Sequence, residues 1–154
     1  MSVIKPFQQR ADFCGAAALK MVLDSFEIRK TEKEIINLTK SIHSLGVEAG
    51  ELLKAAKKFG LKGFVKDNCT YKELRNYVVK KKIPVIIEWF YDEDGHFSVV
   101  HDMDRENVYM QDPDLGHMRA MRKDLFMRLW FSFPTKYMRT EKDLILRRML
   151  VIHR

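Results

Sequence analysis

The sequence predicts an α+β fold in which helices come first and an antiparallel sheet follows. Amphipathic segments at helical spacing dominate residues 14–81, whereas β-branched and aromatic segments joined by hairpin-length links begin at residue 83. Such short links join neighbouring antiparallel strands. With 154 residues, 46% of them hydrophobic, the chain can bury a real core. We therefore expect a single domain over residues 1–154, helical to about residue 82 and sheet-based from about residue 83.

The first helix is predicted within residues 8–26. Asp12 can cap a helix that begins at or beside Cys14. Small residues at 16–18 allow other elements to pack closely around it. One apolar face then recurs at helical spacing through Ala18, Leu19, Val22, Leu23 and Phe26. The pattern predicts a buried central helix with a cysteine at its positive end.

Three more helices and one strand complete the helical half. A capping box formed by Thr31 and Glu34 predicts a helix through about residue 40, followed by a turn over residues 41–46. A third helix is predicted from about residue 47 to 59, with Gly60 placed to end it. Residues 61–66 indicate a short strand, after which Thr70 caps a helix over residues 71–81.

The second half is predicted to form adjacent antiparallel strands. The strands are expected over residues 83–90, 96–101 and 107–111, with a short fourth strand at 117–121. A helix is expected over residues 122–130. Residues 144–152 indicate a final strand, although a helix remains the alternative because Leu144, Arg147, Arg148 and Val151 also fit the helical period.

Composition limits the classes of function. The N-terminus lacks the apolar core of a signal peptide, and no apolar run approaches the roughly 18 residues of a membrane span, so we expect a soluble, cytoplasmic protein. In that compartment the two cysteines, Cys14 and Cys69, are expected to be free thiols. Cys69 lies in a polar turn and receives no role. No Cys/His cluster has zinc-site spacing, and no cofactor is expected.

The net charge of +7 is interpreted as solvated helix ends and strand flanks rather than a nucleic-acid surface. No helix-turn-helix, zinc-finger or aromatic RNA-binding pattern accompanies the charge. An acidic peptide partner is equally compatible with it. The sequence does not indicate an oligomeric state.

The candidate chemistry begins with Cys14. Unpaired amides and the helix dipole at a helix N-terminus stabilise a thiolate, which is the nucleophilic form of cysteine. The alternative is a small buried core residue, since free cysteines are often buried. Gln8, six residues upstream, has a side-chain amide that could donate to an oxyanion, and Gln9 competes for that role.

Hairpin geometry makes His96 and Asp112 predicted neighbours. His96 opens one strand and Asp112 ends the next, so both fall at the same edge of the sheet. A carboxylate beside an imidazole fixes its tautomer. Taken singly, His96 reads as a surface residue and Asp112 as part of a turn. Together with a cysteine they would complete a nucleophile, base and orienting group.

These segments resemble the papain-like cysteine peptidases of the bacteriocin-processing type, which cut double-glycine leader peptides and usually precede ABC exporters. The resemblance spans roughly residues 6–130. Its blocks are Gln8, the run 13–21 (Phe-Cys-Gly-Ala-Ala-Ala-Leu-Lys-Met), the run 95–100 (Gly-His-Phe-Ser-Val-Val), the run 108–113 (Val-Tyr-Met-Gln-Asp-Pro), Gly116 and the run 123–130. It implies a papain-like fold in which helices surround a central cysteine-bearing helix packed on a C-terminal antiparallel sheet.

The resemblance also implies roles for the residues. Cys14 would be the nucleophile, His96 the general base and acid, Asp112 the orienting group, and Gln8 an oxyanion donor beside the Cys14 amide. Phe13 departs from the pattern, because exporter peptidases commonly carry an aspartate before the cysteine. No transporter segment follows, so a free-standing relative is expected.

The implied function is a cysteine peptidase that cleaves a peptide or amide bond through a thioester. Its partner would be a peptide or protein substrate, with a leader peptide as one candidate. Two alternatives are an acyltransferase of the transglutaminase-like type, which also uses Cys, His and Asp in this order, and a non-catalytic peptide-binding module on the same fold. The long helical stretch between Cys14 and His96 favours the peptidase over the acyltransferase.

Overall fold

A computed structural model describes residue 4 and residues 14–39, 48–91, 94–113, 116–133 and 138–154. Five α-helices and eight strands lie in these ranges. The helices are α1 (Cys14–Ser25), α2 (Glu32–Thr39), α3 (Ala49–Lys58), α4 (Tyr71–Arg75) and α5 (Lys123–Leu129). The strands are β1 (Lys62–Lys66), β2 (Val85–Tyr91), β3 (Asp94–Met103), β4 (Asn107–Asp112), β5 (His117–Arg122), β6 (Phe131–Ser132), β7 (Ile145–Leu146) and β8 (Met149–His153).

Helix starts follow the predicted capping residues. The Glu34 amide donates to the Thr31 hydroxyl at 3.1 Å, and that hydroxyl donates to the Glu34 carboxylate at 3.2 Å. The Glu73 amide donates to the Thr70 hydroxyl at 3.0 Å. Gly60 follows α3 with φ +85°, a conformation that glycine adopts without strain. The predicted turn at 41–46 lies outside the described residues.

Six strands form one antiparallel sheet in the order β1-β8-β2-β3-β4-β5. The mixture of helices with this antiparallel sheet confirms the predicted α+β fold class. The strand predicted in the helical half, β1, joins the sheet at its edge by pairing with β8. The sheet therefore draws on both halves of the sequence.

Two apolar cores lie on the two faces of the sheet. Successive residues of β2 point to opposite cores. Ile86 belongs to the core that contains α1, α2 and α3, whereas Val85 and Ile87 belong to the core that contains α4 and α5. Neighbouring positions on β8 divide in the same way. Leu150 faces the first core and Val151 the second. The predicted central helix is confirmed as buried, since 0–1% of each apolar side chain from Ala16 to Leu23 is exposed.

Two predicted elements differ from the structure. The helix over residues 71–81 ends as an α-helix at Arg75 and continues as a π-helical turn, Asn76–Lys80. The strand over residues 144–152 is broken at Arg147, whose φ is +47°. Its first part, β7, pairs with β6 in a separate two-stranded sheet, while β8 enters the main sheet. The helix alternative for this segment is also wrong.

The break at Arg147 has a visible cause. Its amide donates to the Trp130 carbonyl at 3.0 Å, and its guanidinium donates to the Cys69 carbonyl at 2.6 Å. The Arg147 amide thus bonds to a distant segment instead of a strand partner, and its side chain holds the chain against Cys69. None of the helices in the described ranges combines the length and apolarity needed to span a bilayer.

Candidate active site

The structure brings His96 and Asp112 together. Val99 pairs with Gln111 across β3 and β4, so His96 and Asp112 lie on one face of the sheet, one diagonal step apart. Their side chains meet with His96 Nε2 at 2.6 Å from Asp112 Oδ1. Both residues are buried, with 7% of His96 and 1% of Asp112 exposed. The neighbours predicted from hairpin geometry are thus confirmed as neighbours.

This contact assigns the protons of the imidazole. A carboxylate only accepts hydrogen bonds, so Nε2 of His96 carries a proton and donates it to Asp112. The second ring nitrogen, Nδ1, lies on the opposite side of the ring from Asp112. A short hydrogen bond between a charged acceptor and a buried donor is stronger than one between neutral groups. The hydrogen bond to Asp112 therefore orients the His96 ring.

Arg119 contacts the other oxygen of the same carboxylate. Its Nε donates to Asp112 Oδ2 at 2.9 Å. Met110 pairs with Arg119, and Asp112 with His117, so Arg119 is a diagonal neighbour of Asp112 across β4 and β5. Sequence reasoning missed this residue. The available signal was the predicted strand at 117–121, where Arg119 falls two positions from the partner of Asp112.

Trp89 packs beside His96 and Arg119 on the same face of the sheet. It pairs with His96 across β2 and β3, and the two rings meet edge to face at a centroid distance of 5.7 Å. The guanidinium of Arg119 lies 5.5 Å from the Trp89 ring centroid. The indole nitrogen donates to the Ser98 hydroxyl at 2.9 Å. Trp89 is 1% exposed and is therefore a core residue beside His96.

The helix that begins at Cys14 packs against the strand that carries His96. α1 starts at Cys14, as predicted, and contacts β3. Phe97 and Val99 of β3 belong to the same apolar core as Leu19 and Val22 of α1. Gln8, Gln9, Asp12 and Phe13 lie outside the described residues, as do the contacts of the Cys14 side chain.

A short strand lies against the residue that precedes His96. A Cβ atom added to Gly95 would stand 2.3 Å from the Ser132 hydroxyl of β6. That hydroxyl is buried and donates to Glu88, which also accepts from Arg148 at 3.3 Å. Burial raises the pKa of the Glu88 carboxyl, while the charge of Arg148 opposes the rise. Gly95 therefore permits close contact between β3 and β6 beside His96.

Cys69, the second cysteine, is buried in the core around α4 and α5. It is a free thiol, as predicted, and its sulfur donates to the Lys66 carbonyl at 3.3 Å. Burial raises the pKa of the Cys69 thiol to about 11. Such a thiol is unreactive at neutral pH. Within the described ranges, His, Cys, Asp and Glu side chains form no group of three that could hold a metal ion.

Comparison with known proteins assigns the family. A model of the Peptidase C39 family matches residues 4–135. The chain belongs to this family. A protein of Methanothermobacter thermautotrophicus (strain Delta H), described as uncharacterised, is 30% identical to it over 123 residues, which cover 80% of each chain.

Solved structures share the fold. The peptidase domain of Streptococcus ComA, a bifunctional ABC transporter of a quorum-sensing pathway, matches with a TM-score of 0.77 at 18% identity over 98% of each chain. A double glycine motif protease from an AMS/PCAT transporter, in complex with the leader peptide, matches with a TM-score of 0.68 at 22% identity. That match covers 97% of this chain and 89% of the other.

Membership of the C39 family confirms the predicted function as a cysteine peptidase. It also confirms the resemblance to bacteriocin-processing peptidases on which that prediction depended. The two alternatives, acyl transfer and peptide binding without catalysis, are not favoured by the family or by the peptidase domains that share the fold.

Proposed function

We propose that Cys14, His96 and Asp112 form the catalytic triad of this peptidase, with Gln8 as an oxyanion donor. The observation that carries the proposal is the buried contact of 2.6 Å between His96 and Asp112. The neighbouring residues Phe97 and Val99 of the same strand pack in one core with the helix that begins at Cys14. Amides of the first helical turn favour a thiolate at Cys14. These three groups supply the nucleophile, the base and the orienting group that a cysteine peptidase needs.

The acylation step follows from these roles. The Cys14 thiolate attacks the carbonyl carbon of the scissile peptide bond, and the electron pair of the C=O bond moves to oxygen. The oxyanion accepts hydrogen bonds from the Cys14 amide and the Gln8 side chain. His96 gives the proton on Nδ1 to the leaving nitrogen, the C–N bond breaks, and a thioester to Cys14 remains.

Hydrolysis of the thioester restores the enzyme. His96 Nδ1 takes a proton from a water molecule, whose oxygen attacks the thioester carbonyl. The C–S bond breaks, the product leaves as a carboxylic acid, and His96 is protonated opposite a thiolate. Asp112 stays ionised throughout and stabilises the imidazolium through Nε2.

For the substrate we propose a peptide with a double-glycine leader. The support is the similar fold of the double glycine motif protease that was crystallised with the leader peptide. Gly15, the residue after Cys14, adds no side chain at the helix start that a substrate carbonyl would have to avoid.

The test is cleavage of a synthetic double-glycine leader peptide. The wild-type protein should release a fragment that ends in a free carboxylic acid. Cys14→Ala and His96→Ala should each lower kcat by about four orders of magnitude, while the peptide still binds. Full turnover by Cys14→Ala would refute the triad. An amine adduct in place of the acid would show acyl transfer, and binding without turnover by the wild type would show a non-catalytic module.

A further inference from the structure

The carboxylate of Asp112 accepts hydrogen bonds at both oxygens. His96 contacts Oδ1 at 2.6 Å and Arg119 contacts Oδ2 at 2.9 Å, while none of the Asp112 side chain is exposed. The two donors come from different strands, β3 and β5, on either side of β4. Asp112 is therefore held from both flanking strands.

Two donors on opposite oxygens fix the rotation of the carboxylate, which a single donor would leave adjustable. A carboxylate bonded at a single oxygen can rotate about its Cβ–Cγ bond, and the imidazole bonded to it would follow. Arg119 is itself constrained, because its guanidinium packs over Trp89, whose ring also meets the His96 ring edge to face. Four side chains on one sheet face thus restrain one another.

We propose that Arg119 is a positioning residue that fixes the Asp112 carboxylate, and thereby His96, and that it makes an aspartate necessary at position 112. The proposal rests on the triad proposed above. Papain-like peptidases can use asparagine as the third member of the site, because the imidazole needs only one acceptor. Here both neighbours of residue 112 donate. An asparagine has one acceptor oxygen and one donor nitrogen, so it would face either His96 or Arg119 with a second donor.

The test is a double-mutant cycle on the cleavage of the leader peptide. Asp112→Asn alone should lower kcat by about a hundredfold, and Arg119→Met alone by about tenfold, with KM changed by less than about twofold. Methionine keeps an unbranched stem over Trp89 but donates no hydrogen bond. In the Arg119→Met background, Asp112→Asn should cost only a few-fold further, because the asparagine oxygen can then turn to His96.

The control replaces a neighbouring arginine in the same way. Arg122, the residue replaced in Arg122→Met, lies on the same strand. Its side chain is 78% exposed and contacts Asp124 at 3.5 Å. This substitution should leave kcat unchanged. Arg119→Lys, which restores a cation and a donor, should recover part of the loss. Unfolding curves of every variant establish the folded fraction at which each rate is compared.

The pH profile separates positioning from a general loss of structure. Arg119 balances the charge of Asp112, so its removal leaves the imidazolium of His96 facing an uncompensated carboxylate. The basic limb of kcat/KM in Arg119→Met should therefore move to higher pH. The other described titratable group that the strand register places beside Asp112 is His117, whose ring is exposed and contacts the Met118 carbonyl at 3.0 Å.

The results of these experiments distinguish the positioning role of Arg119 from the triad itself. Strong coupling between positions 112 and 119, together with the shifted basic limb, supports the positioning role. Additive losses, or an unchanged kcat in Arg119→Met while Cys14→Ala and His96→Ala are inactive, would overturn that role and leave the triad intact. Activity in Cys14→Ala would instead overturn the triad itself.

Discussion

The two cysteines occupy opposite chemical settings in the same chain. Cys14 is the first residue of α1, where unpaired amides and the positive end of the helix favour a thiolate. Cys69 follows β1 and is buried, with the pKa of its thiol raised to about 11. Its sulfur donates to the Lys66 carbonyl, a hydrogen bond that only the protonated form can make. Secondary-structure position and burial, more than residue type, decide which thiol can act as a nucleophile.

The largest expected difference is in alkylation rate. At pH 7 a thiol with a pKa of about 11 is ionised to roughly one part in ten thousand. Iodoacetamide should therefore modify Cys14 about a thousandfold faster than Cys69, as read by mass spectrometry of proteolytic fragments. Cys14→Ser should abolish the fast phase and Cys69→Ser should leave it unchanged. Fast modification of Cys69 would remove the contrast between the two thiols.

Removing His96 should reduce the difference in alkylation rate between the two cysteines by slowing the reaction of Cys14. At pH 6, a thiol without an imidazolium partner has a pKa near 8.5 and is only about 0.3% ionised. We expect His96→Ala to slow alkylation of Cys14 by up to about a hundredfold at this pH. Alkylation of Cys69 measured in the same samples serves as the internal control and should not change. Equal rates at Cys14 with and without His96 would show that the helix alone activates the thiol.

The pH dependence of the free energy of unfolding tests whether the Cys69 thiol is harder to ionise in the folded protein. The pKa of its thiol rises from 9.0 to about 11 on folding, so the folded protein keeps a proton that the unfolded chain has lost. This contribution is fully present below pH 9 and is lost as the pH rises through 11. Between pH 8 and 11 the wild type should lose about 2 kcal/mol more free energy of unfolding than Cys69→Ala.

The comparison uses denaturant unfolding of both proteins at each pH, so other titrating groups cancel. Parallel losses in wild type and Cys69→Ala would mean that the thiol is no harder to ionise when the chain is folded.

The smallest expected effect is the cost of losing the Cys69 sulfur at pH 7. Cys69→Ala removes one buried atom from the core around α4 and α5, and should lower the free energy of unfolding by about 1 kcal/mol. The kcat for the leader peptide should not change. A large loss of activity in a folded Cys69→Ala would assign this thiol a role that its burial argues against.

The sequence was most informative where contacts are local or follow from hairpin geometry. Helix starts at Thr31 and Thr70 followed from capping patterns, because a cap involves residues only three positions apart. The contact between His96 and Asp112 followed from the short link between their strands. Sixteen residues separate the pair, yet one hairpin accounts for them.

Features that depend on distant partners were not predictable. The strand break at Arg147 depends on the Trp130 and Cys69 carbonyls, which no local pattern around residues 144–152 identifies. The contact between Arg119 and Asp112 depends on the register of β5 against β4, which decides the sheet face that Arg119 occupies. The short sequence of β5 specifies that register weakly. Gln8 and the Cys14 side chain remain predictions.

The contact between Gly95 and Ser132 has a consequence for how this enzyme can vary. A methyl group at position 95 would force the serine hydroxyl to swing away and give up Glu88. The disturbance would begin one peptide bond from the imidazole. One added carbon and two added hydrogens, with no charge and no reactivity, would thus displace the surroundings of His96 by crowding alone. At this point of the chain the side chain is limited by its volume rather than by its charge or reactivity.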